Sequence, residues 1–269
     1  MSAAAPARSG RVGVLVFPGT NSEDETQRAC EAVGLRADLV HWTATLEDAR
    51  AYDALILPGG FAYEDRVRAG AIAAHDRLID AVRDAAATGK PVLGICNGAQ
   101  VLIEAGLVPG LDDDRRPQAA FAPNAPGGRF LCRHVTMKLN VPPSRCIFTQ
   151  SMAPGTLIPA WHANREGRLS ASRDVLGRMA AGDHVAFVYV DERGERTESA
   201  VPNGSLLGGA GITNVPGNVL AIMPHPERDA WRFMHADTVG GDRGSRDAAM
   251  MLAPSGGIAL FEGLAGALS

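Results

Sequence analysis

Lysine is nearly missing from this 269-residue sequence: Lys90 and Lys138 stand alone among 26 basic residues, and 30 acidic ones leave a net charge of −4. Without a basic surplus there is no electrostatic footprint of a general nucleic-acid binder, and no nucleic-acid partner is expected. Cysteine is scarce too. Cys30, Cys96, Cys132 and Cys146 form no C-x-x-C pair and no metal-ligand spacing, so neither a metal ribbon nor a disulfide scaffold is expected. No apolar run approaches the length of a membrane span or a signal-peptide core. Free thiols in a reducing cytoplasm are therefore the expected state, with no membrane partner. The motifs G-x-S-x-G, the P-loop and G-x-G-x-x-G are absent as well, which weakens serine-hydrolase and nucleotide-binding readings.

What is present is a chain 46% hydrophobic, enough for one substantial core, with 31 glycines and 17 prolines marking many turns. Residues 1–10 read as a flexible tail and 11–269 as a single domain. Arg11–Phe17, Leu35–His41, Tyr52–Leu57 and Val92–Ile95 are short apolar runs that predict buried strands. Between them lie helical patterns. Ser22 with Glu25 predicts an N-cap, Ala29, Cys30 and Val33 a helical stripe, and Gly34 its end. Ala69–Ala87 predicts one alanine-rich helix, and Gln100–Ala105 lies in another. This alternation is the grammar of a parallel sheet covered on both faces. Its reactive groups gather on loops leaving the carboxyl ends of the strands, here Pro18–Asn21, Pro58–Tyr63 and Cys96–Gly98. In the second half Phe130–Leu139, Cys146–Phe148 and His184–Val190 predict strands with few helices between them, hence an antiparallel part. Val219–Met223 is again a buried strand, residues 229–254 a loop excursion, and Gly257–Leu268 a closing helix.

The chemistry concentrates on residues 94–100, GICNGAQ. A cysteine between two glycines, where a strand turns into a helix, sits on a tight elbow that the glycines permit. There the helix dipole favours a thiolate, and the next backbone N–H, that of Asn97, could bind an oxyanion. A lone G-x-C-x-G equally suits a buried small hydrophobe, so support is needed. It comes from VLAIMPHPER at 219–228, where His225 and Glu227 follow a strand end two residues apart. In extended geometry both point to one side, so that Glu227 orients the imidazole and His225 serves as base to Cys96. Gly60, from Pro58–Gly59–Gly60, offers a second backbone N–H. His41, Trp42, His75, His134, His184 and His235 read as packed or solvated groups, and Asp112–Arg116 as a solvated loop.

GICNG-x-Q, LPGGF-x-Y-x-D-x-x-RAG (57–70) and MPHPER (223–228) together resemble the class I glutamine amidotransferases. More narrowly they are similar to the glutaminase subunits of phosphoribosylformylglycinamidine synthase. VFPGTN, EAGL-x-PG and GRFLCRHVT fit the same subfamily, and the resemblance covers most of residues 11–228. It implies an α/β, flavodoxin-like fold: a mostly parallel central sheet flanked by helices, with an antiparallel extension. It implies Cys96 as nucleophile, His225 as general base and acid, Glu227 as orienting carboxylate, and the N–H groups of Gly60 and Asn97 as oxyanion donors. Contacts to L-glutamine are implied for Gln100 and Gly59 and, through the stretch His162–Gly167, for His162 and Ala163. Ammonia would pass to a large synthase subunit, with a small accessory subunit in the same complex. No cofactor is expected on this chain, and ATP and magnesium are expected on the synthase. The departures are Ala62 and Glu64, where the family has serine and glycine, and an insertion of two residues within 163–166. The rival readings are a glutaminase serving another acceptor and a non-catalytic subunit that keeps the fold.

Overall fold

Arg11–Val16 (β1), Ala54–Leu57 (β3) and Val92–Ile95 (β4) are short and almost wholly buried. Strands covered on both faces read this way, as continuous apolar runs without alternation. The computed structural model describes residues 10–112, 114–234 and 251–269. Arg36–His41 (β2) lies parallel to β1 at one edge, and Val219–Ile222 (β11) lies parallel to β4. The parallel block β2-β1-β3-β4-β11 continues without a break into Gly209–Thr213 (β10), Phe187–Val190 (β9), Leu131–Leu139 (β6) and Leu157–Asn164 (β7). These last four pair antiparallel. The result is one nine-stranded mixed sheet. Ala119–Ala122 (β5) and Arg168–Ala171 (β8) form a separate antiparallel pair.

The helices that lie wholly among the described residues are Glu23–Ala32 (α1), Leu46–Arg50 (α2), Leu78–Ala87 (α3), Asn97–Glu104 (α4), Arg173–Ala181 (α5) and Ala259–Ala267 (α6). α4 presses onto the sheet so closely that a Cβ on Gly98 would lie 1.9 Å from the Leu57 carbonyl oxygen. Only glycine fits there. Among the described residues no helix is long and apolar enough to cross a membrane.

Three expectations change. The helix expected over Ala69–Ala87 starts only at Leu78, because Asp76 is extended (ψ 147°) and its carboxylate caps the Leu78 N–H at 2.8 Å. Cys146–Phe148 is a turn: the Thr149 hydroxyl donates to the carbonyls of Pro143 and Cys146, curling the chain back. The few helices expected among the second-half strands include α5, started by the Ser172 side chain accepting from Val175 N–H. Ser22 precedes α1, but its hydroxyl does not cap it; it accepts the N–H of Gly59 at 2.8 Å. The ends of the expected excursion are paired, with Trp231 bridged to Pro254 and Ser255 N–H bonded to Ala230 O. Its residues 235–250, including His235, lie outside the described residues, as do tail residues 1–9 and Asp113.

Candidate active site

β4 and β11 run side by side in register, Ile95 opposite Ile222, and each ends at a reactive group. Beyond Ile95 the Cys96 N–H still donates to Ile222 O at 2.8 Å, while the next peptide starts α4. Cys96 bridges the two at φ 52°, ψ −106°, where a residue with a Cβ is strained by about 1–3 kcal/mol. The close packing of Gly94 and Gly98 around it holds this elbow: a Cβ on Gly94 would lie 2.7 Å from the Gly98 carbonyl carbon and oxygen.

Beyond Ile222 the chain passes through Met223 and Pro224 to His225, whose backbone is clamped to Trp161 by N–H···O bonds of 2.8 and 3.2 Å. Pro226 is in the right-handed helical region (φ −70°, ψ −28°) and Glu227 begins a 3-10 turn. His225 and Glu227 therefore meet across a turn, not along the extended segment that their spacing predicted. Nδ1 of His225 lies 2.5 Å from Oε1 of Glu227, with Glu227 fully buried. That bond leaves Nε2 for Cys96. Burial alone pulls the imidazole pKa down, but the Glu227 carboxylate and then Cys96 outweigh it and raise it to about 10. Glu227 and Cys96 thus favour the protonated ring at the place where a proton must be delivered.

Two backbone N–H groups, of Asn97 next in the chain and of Gly60 on the same cleft, are candidates for an oxyanion. Asn97 opens α4, so its N–H has no acceptor within the helix. Gly60 pairs with Thr20 in a short antiparallel bridge closed by Asn21 N–H to Gly59 O (3.1 Å) and Phe61 N–H to Gly19 O (2.8 Å). In that pattern the central pair exchanges no hydrogen bond, and the Gly60 N–H turns outward. The Asn97 side chain ties both loops together: Oδ1 accepts from Ala62 N–H, and Nδ2 donates to Asp65 and Gln100, each at 2.9 Å.

Cys96, His225 and Gly60 line one cleft of about 490 Å³ with Gln100, Asp65 and Ala163. Gln100 is fixed from both ends, donating through Nε2 to Glu166 O at 2.6 Å. The Ala163 carbonyl lies 3.8 Å from the Cys96 sulfur. Two of the residues expected to touch substrate stand elsewhere. Gly59 does not line the cleft: its N–H is taken by Ser22, and a Cβ there would come within 2.5 Å of the His225 ring. Its task is to leave room for the histidine. His162 is fully buried behind the site, because inward positions of β7 alternate and 162 is one of them. Its Nδ1 faces the Tyr189 hydroxyl at 3.2 Å. Burial, then repulsion from His225 and Arg133, push its pKa down to about 4, so it stays neutral.

Other groups had no role at the site assigned from sequence. Ser22, Asn21, Asp65, Glu166, Tyr189 and Arg228 gather here from distant segments. For Asp65 the F-x-Y-x-D string was a signal; for Ser22 and Tyr189 there was none. Among the described residues no group of three or more His, Cys, Asp or Glu could hold a metal ion.

Comparison with known proteins agrees with this geometry. Residues 9–253 match the family of CobB/CobQ-like glutamine amidotransferase domains. The phosphoribosylformylglycinamidine synthase subunit PurQ of Pyrococcus furiosus is 40% identical over 227 residues, 84% of this chain and 92% of its own. That of Thermomicrobium roseum is 41% identical over 243 residues, covering 90% and 95%. Among solved structures, PurLQS from Thermotoga maritima matches 97% of this chain and 100% of its own at 29% identity, with a TM-score of 0.72. A putative GMP synthase component from Thermoplasma acidophilum, at 14% identity and a TM-score of 0.52 over 97% of this chain and 95% of its own, shares the fold alone. This chain belongs to the CobB/CobQ-like glutamine amidotransferases and, within them, to the PurQ subunits of phosphoribosylformylglycinamidine synthase.

Proposed function

We propose that the chain hydrolyses L-glutamine at Cys96 and hands the ammonia to a synthase partner that makes formylglycinamidine ribonucleotide in purine synthesis. The Cys96 thiolate attacks the side-chain amide carbon, and the resulting oxyanion rests on the N–H groups of Gly60 and Asn97. His225 gives its proton to the leaving nitrogen, and ammonia departs from a glutamyl thioester. Water then attacks the thioester, His225 takes up its proton, and the C–S bond breaks to free glutamate and restore the thiolate. Glu227 keeps the ring oriented throughout.

One observation carries this reading: a buried His225–Glu227 pair aimed at a cysteine on a strained elbow, with an outward-turned Gly60 N–H in the same cleft. The reading as one glutaminase domain over residues 11–269 is supported by the unbroken sheet from β2 to β7. The presence of the matched chain within a PurLQS assembly supports large and small partner subunits for this one. ATP and magnesium are assigned to the synthase partner, since the sequence lacks a P-loop. Action in the cytoplasm fits the unpaired Cys30, Cys96, Cys132 and Cys146.

The test is Cys96→Ala in the assembled complex. Glutamine-dependent synthesis should fall to background, at least about 10³-fold, as expected on losing a covalent nucleophile. Ammonia-dependent synthesis should persist, because only the ammonia supply is lost. Loss of both together would mean that Cys96 is structural and would sink the assigned roles.

A further inference from the structure

Cys96, Gly60 and Asn97 account for the amide end of glutamine. The other end carries an α-ammonium, and binding strips it of water. Three carboxylates face the cleft: Glu64, Asp65 and Glu166. They differ in what holds them. Glu64 is exposed and gripped by Arg66 through bonds of 3.0 and 2.8 Å, so its charge is already answered. Glu166 places Oε2 on the Ala69 N–H at 3.3 Å and gives its backbone carbonyl to Gln100. Asp65, which like Glu166 has no salt bridge among the described residues, is held by two neutral donors, Asn97 Nδ2 at 2.9 Å and the Gly70 N–H. An aspartate accepts about four hydrogen bonds, so positions remain for a ligand.

Asp65 is also the carboxylate tied most directly to the nucleophile. Asn97 follows Cys96 in the chain, and its side chain reaches both Asp65 and the Ala62 N–H. Tyr63, Glu64 and Asp65 are all left-handed, with φ of 55°, 61° and 49°, a run of strain that a packed loop holds only at a cost. Burial already raises the Asp65 pKa, with Asn97 and Gly70 pulling it back. A cation beside it would favour the charged form further.

We propose that the Asp65 carboxylate receives the α-ammonium of the glutamine substrate, from the same strained turn that follows the Gly60 oxyanion donor; this rests on the glutaminase reading above. Substrate recognition at one end then acts on the turn that positions the donor at the other. The side chain that reads the amino group and the peptide that binds the oxyanion are five residues apart on one loop.

The probe is glutaramate, which is glutamine without its α-amino group, compared with L-glutamine in the assembled complex. The readout is the ratio of the two kcat/KM values for wild type, Asp65→Asn and Glu166→Gln. Asp65→Asn should shrink the preference for L-glutamine about 10- to 100-fold, mainly through KM, as expected on losing one charge-assisted hydrogen bond. Protection of Cys96 from iodoacetamide by each compound gives the same ratio without turnover, should the variant be slow. A purely structural Asp65 would depress both substrates together and leave the ratio unchanged, which overturns the proposal. So does a collapsed ratio in Glu166→Gln with Asp65→Asn unaffected. If the wild-type complex consumes neither compound while making product from ammonia, the glutaminase reading itself falls.

Discussion

Position 64 shows how a single side chain can sit against its backbone. Glu64 has φ 61° and ψ 19°, left-handed values at which a Cβ costs about 1–2 kcal/mol. Its ion pair with Arg66 is exposed and returns little of that. Glu64→Gly should raise stability by about 1 kcal/mol, read as a higher urea midpoint at unchanged slope. No gain would mean that the turn relaxes without glycine. Glu227 makes a second prediction. Its carboxylate holds the His225 imidazolium against the pull of burial, so the charged form survives well above neutral pH. In Glu227→Gln the burial effect wins and the ring loses its proton at lower pH. The alkaline limb of the kcat/KM profile should therefore move to lower pH, and alkylation of Cys96 at neutral pH should slow. An unmoved limb would show that the ring is held by something other than Glu227.

At the scale of elements, the site depends on how closely α4 can approach the sheet. Gly98→Ala would place a methyl 1.9 Å from the Leu57 carbonyl oxygen, which neither β3 nor β4 can yield without moving the elbow. It should cost about 1–3 kcal/mol in denaturant unfolding and lower glutaminase turnover with it. Full activity at wild-type stability would mean that the contact is loose. The same elements show what could be read from the sequence. Cys96, His225, Glu227 and Gly60 lie in short strings, GICNG, PHPE and PGG, where local spacing already places donor, base and nucleophile at strand ends. Asp76 defeated the helix expected over Ala69–Ala87, because a composition rich in alanine says nothing of a carboxylate turned back to cap a later N–H. Ser22 was legible as a cap and serves as a prop for Gly59 instead, since that partner comes from a loop 37 residues away. The buried place of His162 was equally hidden. It depends on the phase of β7, a strand whose Pro159 and mixed polarity gave no period to read.

At the scale of the molecule, the proposed nucleophile and base come from opposite halves of the sequence and meet because one ladder joins β4 to β11 in a fixed register. The parallel half supplies Cys96 and its donors, and the antiparallel half supplies Trp161, which clamps the His225 backbone. The reactive spacing is thus set by main-chain hydrogen bonds, not by side-chain choice. Time has an order here too. During synthesis β4 and the elbow leave the ribosome first, and β11 must wait for β5 to β10 and for α5. Until β11 docks, the growing chain carries Cys96 without the base proposed for it. On the proposed roles a nascent or truncated chain of this kind cannot spend glutamine, and the last parallel strand to form is the one that arms it.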